Sequence, residues 1–224
     1  HSLIGGIMGA GIAGLGFEKL VYDGLAKVFT GIIVAPIGGM MFGIACTGLI
    51  IYFFARKKPA IVNRTFGRLQ IISSAWFALT HGANDGQKTM GIIVLILFSV
   101  GLIDELEMPL WVIFAAAAAM GLGTFFGGYK VIKTLGVKVT RLKPYQGFAA
   151  ETSGGIMLAV FATLGIPAST THAITGTIMG AGAARRKRAV RWKVSRQIIF
   201  SWVITIPGAA GLGIGFTYLI HLFV

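Results

Sequence analysis

Residues 144 to 184 read PYQGFAAETSGGIMLAVFATLGIPASTTHAITGTIMGAGAA, an apolar stretch that starts directly after Lys143 and stops directly before Arg185. Both ends lie against basic connections, and basic connections are retained on the cytoplasmic side of a membrane. A stretch with both ends on one side must cross twice or enter and turn back. About 20 residues precede Pro167 but only 13 run from His172 to Ala184, too few to span about 30 Å of hydrocarbon as a helix. The stretch therefore reads as a re-entrant helical hairpin, with the polar run Pro167-Ala168-Ser169-Thr170-Thr171-His172 at its tip.

The rest of the chain supports a membrane setting. Of 224 residues, 55% are hydrophobic and 12% charged, with 33 glycines and a mean hydropathy of +0.82. Soluble domains carry about 25% charged residues. Residues 28 to 54 and 110 to 128 hold no formal charge, and 197 to 224 hold only His221, which reads as interfacial. Each block is long enough to cross the bilayer. Cys46 is the lone cysteine, lies in an apolar span and reads as packing.

The net charge of +13 is segregated. Seventeen of the 20 Lys and Arg residues fall within residues 56 to 68, 130 to 143 and 185 to 196, none of which contains an acid. Five of the seven acids lie in two other connections, Glu18 and Asp23 in one and Asp104, Glu105 and Glu107 in the other. The basic connections orient the chain as cytoplasmic, in a multi-pass protein of the plasma or inner membrane with lipid around it. A nucleic-acid partner would need one contiguous basic face, which this pattern does not supply.

An internal repeat adds to the reading. Residues 1 to 11, HSLIGGIMGAG, match 172 to 182, HAITGTIMGAG, at seven of eleven positions, and the same offset of 171 pairs Phe29 with Phe200 and Pro36 with Pro207 without a gap. The helix after His1 leads to the outer-type connection at Glu18 and the helix after His172 to the basic one at Arg185, so the copies face opposite ways. Inverted repeats underlie alternating access in transporters. The expected fold is thus an all-α membrane protein, an inverted-repeat secondary transporter with broken helices and re-entrant hairpins. Residues 1–54 are the remainder of repeat 1, a returning half-helix and a transmembrane helix. Residues 55–68 form a basic cytoplasmic connection. Residues 69–224 form repeat 2, with a broken helix over 69–100, a transmembrane helix over 110–128, the hairpin over 144–184 and a transmembrane helix over 197–224.

Polar residues inside these spans carry the functional reading. The run Leu79-Thr80-His81-Gly82-Ala83-Asn84-Asp85-Gly86-Gln87-Lys88-Thr89 interrupts an apolar segment. Placing Asp85 or Lys88 at bilayer depth costs about 2.5 to 3.5 kcal/mol each on insertion scales, so compensation is required. Gly82 and Gly86 permit a helix break whose carbonyls, with the Asp85 carboxylate, would form an oxygen-rich nest for a small cation such as sodium, Asn84 and Thr89 completing the hydrogen bonding. The competing reading makes Asp85 and Lys88 a structural pair three residues apart; His81, Asn84 and Gln87 exceed what such a pair needs. At the hairpin tip, Ser169, Thr170 and Thr171 stand at a helix amino end, where free N–H groups and hydroxyls receive an anion. An ordinary helix cap is the simpler use of these residues. Glu151, in the first arm, is positioned to pair with Lys88 or bind a cation. His81 and His172 have no thiolate or closely spaced histidines beside them, which argues against a transition metal; His172 reads as a donor holding the tip or as a proton relay. Neither a nucleotide phosphate loop nor a zinc-protease helix nor a nucleophile elbow is present, so no enzyme activity or organic cofactor is expected.

Gly82-Ala83-Asn84-Asp85 followed by Ser169-Thr170-Thr171-His172 resembles the duplicated signature of the inorganic phosphate transporter (PiT) family. The resemblance implies phosphate import coupled to sodium or, in many bacterial members, to protons. It implicates Asn84 and Asp85 in phosphate and cation binding and Ser169, Thr170 and Thr171 in phosphate binding, with homodimers as the assembly. Gly86-Gln87-Lys88 resembles a bacterial subset. The chain opens at the position equivalent to His172, so an amino-terminal fragment of the same protein, carrying the first half of repeat 1, is an expected partner. Helix ends and hydroxyls alone do not choose phosphate over sulfate or another oxyanion, and a structural membrane subunit whose polar residues only lock helices together is the remaining alternative.

Overall fold

The computed structural model describes residues 1 to 223, which form seven long helices and no strand among the described residues. They are α1 (Ser2–Leu15), α2 (Tyr22–Phe54), α3 (Pro59–Ser99), α4 (Leu110–Lys133), α5 (Pro144–Thr163), α6 (Thr170–Ala183) and α7 (Trp192–His221). A π-helical turn, Thr134–Val139, prolongs α4. The helix α2, the run Leu110–Val139 and α7 are long and apolar enough to cross a membrane. On α4 the side chains of Phe114, Leu122, Phe125 and Phe126 are exposed, as a helix face in lipid requires.

The chain divides into two compact units, residues 1 to 30 with the chain from Arg191 onward, and Gly31–Val190; the division falls inside α2. In the first unit α1 packs on α7 through glycines. A Cβ at Gly5 would stand 2.5 Å from the Ile206 carbonyl oxygen, and one at Gly9 would fall onto the Ala210 carbonyl. Lipid tails give apolar helices no hydrophobic reason to associate, so close backbone approach at small residues does that work. His1 Nδ1 lies 3.4 Å from the Trp202 carbonyl oxygen.

The second unit contains the same helix pair made from other residues. Here α6 packs on α2: a Cβ at Gly176 would fall onto the Pro36 carbonyl, one at Gly180 onto the Met40 carbonyl, and His172 Nδ1 lies 3.2 Å from the Ile32 carbonyl oxygen. The sequence offset carries His1, Gly5 and Gly9 to His172, Gly176 and Gly180. It carries Trp202, Ile206 and Ala210 to positions 31, 35 and 39, each one residue before Ile32, Pro36 and Met40. The two helix pairs thus make the same kind of glycine-to-carbonyl contact, with the partner helix displaced by one residue relative to the sequence offset.

Also in the second unit, α5 lies against α3 and folds back as α6. Glycines again set the approach: a Cβ at Gly154 would meet Phe77 Cε2 at 3.1 Å and one at Gly155 would meet Trp76 Cδ1 at 2.5 Å. Ala35, Met157, Leu158, Phe161, Ala168 and Ala173 form the apolar core beneath the hairpin tip. Cys46 packs against a second cluster of Ile50, Phe66 and Ala149. The turn between α5 and α6 is a Schellman ending. Ile166 N–H donates to the Phe161 carbonyl at 3.0 Å and Gly165 N–H to that of Ala162 at 3.2 Å, with Gly165 at φ +62°, a conformation glycine adopts without Cβ strain.

Several boundaries differ from the sequence expectation. The helix α3 starts at Pro59, ten residues before Leu69, so Arg64 and Arg68 are helical and the 55–68 connection shortens to residues 55 to 58. Proline is pre-organised for a first helical position, and charged residues can extend a membrane helix into water without breaking it. For the same reason α4 and its π-turn carry Lys130, Lys133 and Lys138, and α7 begins at Trp192, five residues before 197. Val224, the last residue of the expected 197–224 span, lies outside the described residues.

The larger correction concerns the break at Gly82 and Gly86. The helix α3 runs through both without interruption. Each glycine weakens a helix by about 1 kcal/mol, which permits a break but does not impose one. Within helical geometry Lys88 pairs with Asp85, while Asn84 and Thr89 donate to main-chain carbonyls one turn back. If this continuity is the working state, Gly82→Ala is neutral or mildly stabilising, because nothing lies within 4 Å of its added Cβ. A thermal melt in detergent and an uptake assay check this together: unchanged or raised Tm with unchanged transport is the expected result, and lost transport would show that α3 must open there.

Candidate functional site

The helix α3 and the tip of the α5–α6 hairpin meet at Asp85. The Thr170 hydroxyl donates to Asp85 Oδ2 at 2.8 Å, and Lys88 Nζ donates to Asp85 Oδ1 at 3.0 Å. Lys88 also donates to the Ala168 carbonyl oxygen at 2.8 Å. One carboxylate and one ammonium thus staple α3 to the hairpin tip by two separate bonds. Thr170 is buried, whereas Asp85 and Lys88 keep 28% and 35% of their side-chain surface exposed, so the pair remains partly open to whatever fills the space beside it.

The staple depends on helix periodicity. Asp85 and Lys88 are three residues apart and so lie on one face of α3. His81 lies one turn before Asp85; its Nδ1 is 3.8 Å from Asp85 Oδ2, beyond hydrogen-bond distance, and its ring stacks on Phe77 at 5.9 Å between centroids. Other predicted residues spend their hydrogen bonds inside α3. Asn84 Nδ2 donates to the Thr80 carbonyl at 2.9 Å, and the Thr89 hydroxyl donates to the Asp85 main-chain carbonyl at 3.4 Å. These contacts sit on an unbroken α3, and with the helix unbroken the expected nest of unwound carbonyls does not form. Gln87 is exposed.

On the hairpin side, Ser169 caps α6 by accepting from the His172 N–H at 3.4 Å. Thr171 is exposed beside it and Thr170 faces Asp85. Ser169 therefore serves as the ordinary cap, while its neighbour reaches across to α3. His172 is buried against α2, and because a carbonyl only accepts, its bond to Ile32 requires the proton on Nδ1. That makes it the donor holding the tip.

Glu151 is not beside Lys88. Its Oε2 accepts from the Ser73 hydroxyl at 2.6 Å and its Oε1 from Gln70 Nε2 at 3.3 Å. Ser73 and Lys88 are 15 positions apart on α3, about 22 Å along the axis, so one carboxylate cannot serve both. The sequence reading passes over Gln70 and Ser73. Their i, i+3 spacing, continued by Phe77, Thr80 and Asn84, was the available signal: a polar-aromatic stripe on one face of an otherwise apolar helix.

Known proteins carry the same chain pattern. Residues 52 to 213 match the profile of the phosphate transporter family. The chain is 47% identical over 211 residues to a probable low-affinity inorganic phosphate transporter of Rhizobium meliloti, a match spanning 94% of this chain and 63% of that protein. Proteins described in the same words from Bacillus subtilis and Mycobacterium leprae are 39% and 38% identical, over 95% and 99% of this chain and 64% and 54% of their own lengths. The chain thus spans between about half and two thirds of these relatives. A solved structure described as the sodium-dependent phosphate transporter shares its fold, with a TM-score of 0.82 over 98% of this chain and 72% of that one at 23% identity. With three helices of membrane-crossing length and these relatives, this is a membrane protein, and the chain belongs to the phosphate transporter family.

Proposed function

We propose that the protein carries inorganic phosphate across the membrane by alternating access, driven by a sodium or proton gradient, with its basic connections on the cytoplasmic side. The observation that carries this reading is the Asp85–Thr170 junction, where an acid suited to a cation touches a helix tip suited to an anion. The descriptions of the relatives as inorganic phosphate transporters, and of the solved structure as sodium-dependent, support the choice of solute and ion.

The chemistry of coupling follows from charge. Phosphate arriving at the tip finds hydroxyl donors on Ser169, Thr170 and Thr171, the amide of Asn84 and the ammonium of Lys88. It also finds the Asp85 carboxylate, a like charge that opposes it. A sodium ion or proton on Asp85 removes that opposition and frees Thr170 and Lys88 to turn their donors to phosphate. Empty, the site is held shut by the same three groups, which discourages a leak of either solute alone. Glu151, which accepts from the Ser73 hydroxyl and the Gln70 amide, is a second candidate cation position.

Thr170→Val keeps the shape and removes the donor. Hydrogen bonds to charged groups contribute about 1.5 to 3 kcal/mol, so phosphate uptake at subsaturating concentration is expected to fall on the order of tenfold or more. Labelled phosphate uptake in proteoliposomes checks it, with sodium and pH gradients imposed separately and sulfate as competitor. Competition by sulfate equal to that by unlabelled phosphate would move the assignment to a general oxyanion carrier. Absence of saturable uptake under either gradient would leave a structural subunit.

A further inference from the structure

The opposite end of the hairpin holds a recess that the Asp85 junction does not use. Where the π-turn leads into α5 and α6 leaves the hairpin, a cavity of about 180 Å³ is lined by Thr140, Arg141, Lys143, Gln146, Arg185 and Arg186. Its inner wall is fixed. Thr140 and Gln146 are 2% and 5% exposed. Gln146 Nε2 donates to the Ala181 carbonyl at 2.8 Å, while its Oε1 accepts from the Lys143 N–H at 3.0 Å, tying the start of α5 to the end of α6. A Cβ at Gly182 would stand 2.8 Å from Thr140 Oγ1, so the floor is close-packed.

Four exposed cationic side chains rim this wall, and neither residues 130 to 143 nor 185 to 196 contain an acid. Converging like charges repel, and an anion between them relieves the repulsion. Three of the four are arginines, whose planar fork matches phosphoryl oxygens. The volume admits a phosphoryl group. The recess also follows exposed Phe125, Phe126 and Tyr129 on α4 and then the cationic Lys130 and Lys133, the order in which a helix passes from acyl chains to headgroups. Basic pockets at this level take phosphorylated headgroups.

We propose that this recess is a second anion site, which binds a phosphoryl group presented either by an anionic phospholipid or as free inorganic phosphate. The test compares the protein with R141Q/R185Q/R186Q, and with R56Q/K57Q/K58Q as a control that removes the same charge from another basic connection. All carry Thr170→Val to weaken the Asp85 junction. Native mass spectrometry with phosphatidylglycerol or phosphatidylcholine reads the lipid arm, and equilibrium dialysis of radiolabelled phosphate reads the free-anion arm. The recess variant is expected to retain at least tenfold less phosphatidylglycerol if the source is lipid, or to lose one equivalent of bound phosphate if the source is the free ion, with the control unchanged. Ala189→Trp, which fills the recess and keeps every charge, is expected to do the same and decides the matter if the glutamine variant does not fold. Unchanged binding in both arms, or equal losses in recess and control variants, would overturn the proposal.

Discussion

Asp85→Asn is expected to lower cation-driven phosphate uptake by at least tenfold, with the protein still folded. The substitution keeps the size of the side chain and an oxygen for the Thr170 hydroxyl, so the contact between α3 and the hairpin tip survives in shape. Lys88 loses its charged partner but keeps the Ala168 carbonyl. With the Thr170 and Ala168 contacts both kept, the stability change is expected to be small beside the loss of uptake, a few degrees in Tm. The functional change is large because a neutral amide has no charge for a gradient cation to balance. Uptake and a detergent melt on the same preparation separate the two effects: unchanged uptake at matched abundance would remove Asp85 from the coupling step.

Gly176→Val is expected to abolish or severely reduce recovery of folded protein. Its side chain would be built onto the Pro36 carbonyl and within 2.9 Å of Pro36 Cα. These are backbone atoms of a helix and cannot rotate aside as a flexible side chain would. Overpacking in a close-packed interior costs about 1 to 3 kcal/mol and sometimes more, and here the collision falls on the contact that seats α6 and hence Thr170. Gly48→Val, with nothing within 4 Å of its Cβ, is the matched control in the neighbouring α2 and is expected to behave as wild type. Size-exclusion profiles and Tm measure the difference; equal behaviour of the two variants would mean that the α2–α6 approach is looser than described.

The hairpin tip and the acid beside it were legible because they break strong patterns. A polar run of Ser169, Thr170 and Thr171 in an apolar stretch, and a charged pair inside a span of bilayer length, each stand out against lipid as solvent. The duplication was legible from identical residues at one offset, and its glycines turned out to be the contact points. The state of α3 was not legible. Glycines at 82 and 86 lower the cost of a break, but whether one forms depends on bonds such as Asn84 to Thr80 and Lys88 to Ala168, the second of which is made only when the tip is in place. The partner of Glu151 was missed because the arms of the hairpin fix its height along α3, and chain spacing within α5 does not reveal that height.

If one cation site and one phosphate site share Asp85, phosphate binding at equilibrium depends on whether the cation is present. A coupling of about 1.4 kcal/mol corresponds to a tenfold shift in Kd. Sodium, or a lowered pH if protons are the coupling ion, is expected to tighten phosphate binding by about tenfold or more in the wild-type protein and to leave it unchanged in Asp85→Asn. Phosphate affinity that ignores both cations in the wild type, or that responds equally in the variant, would contradict the sharing of Asp85.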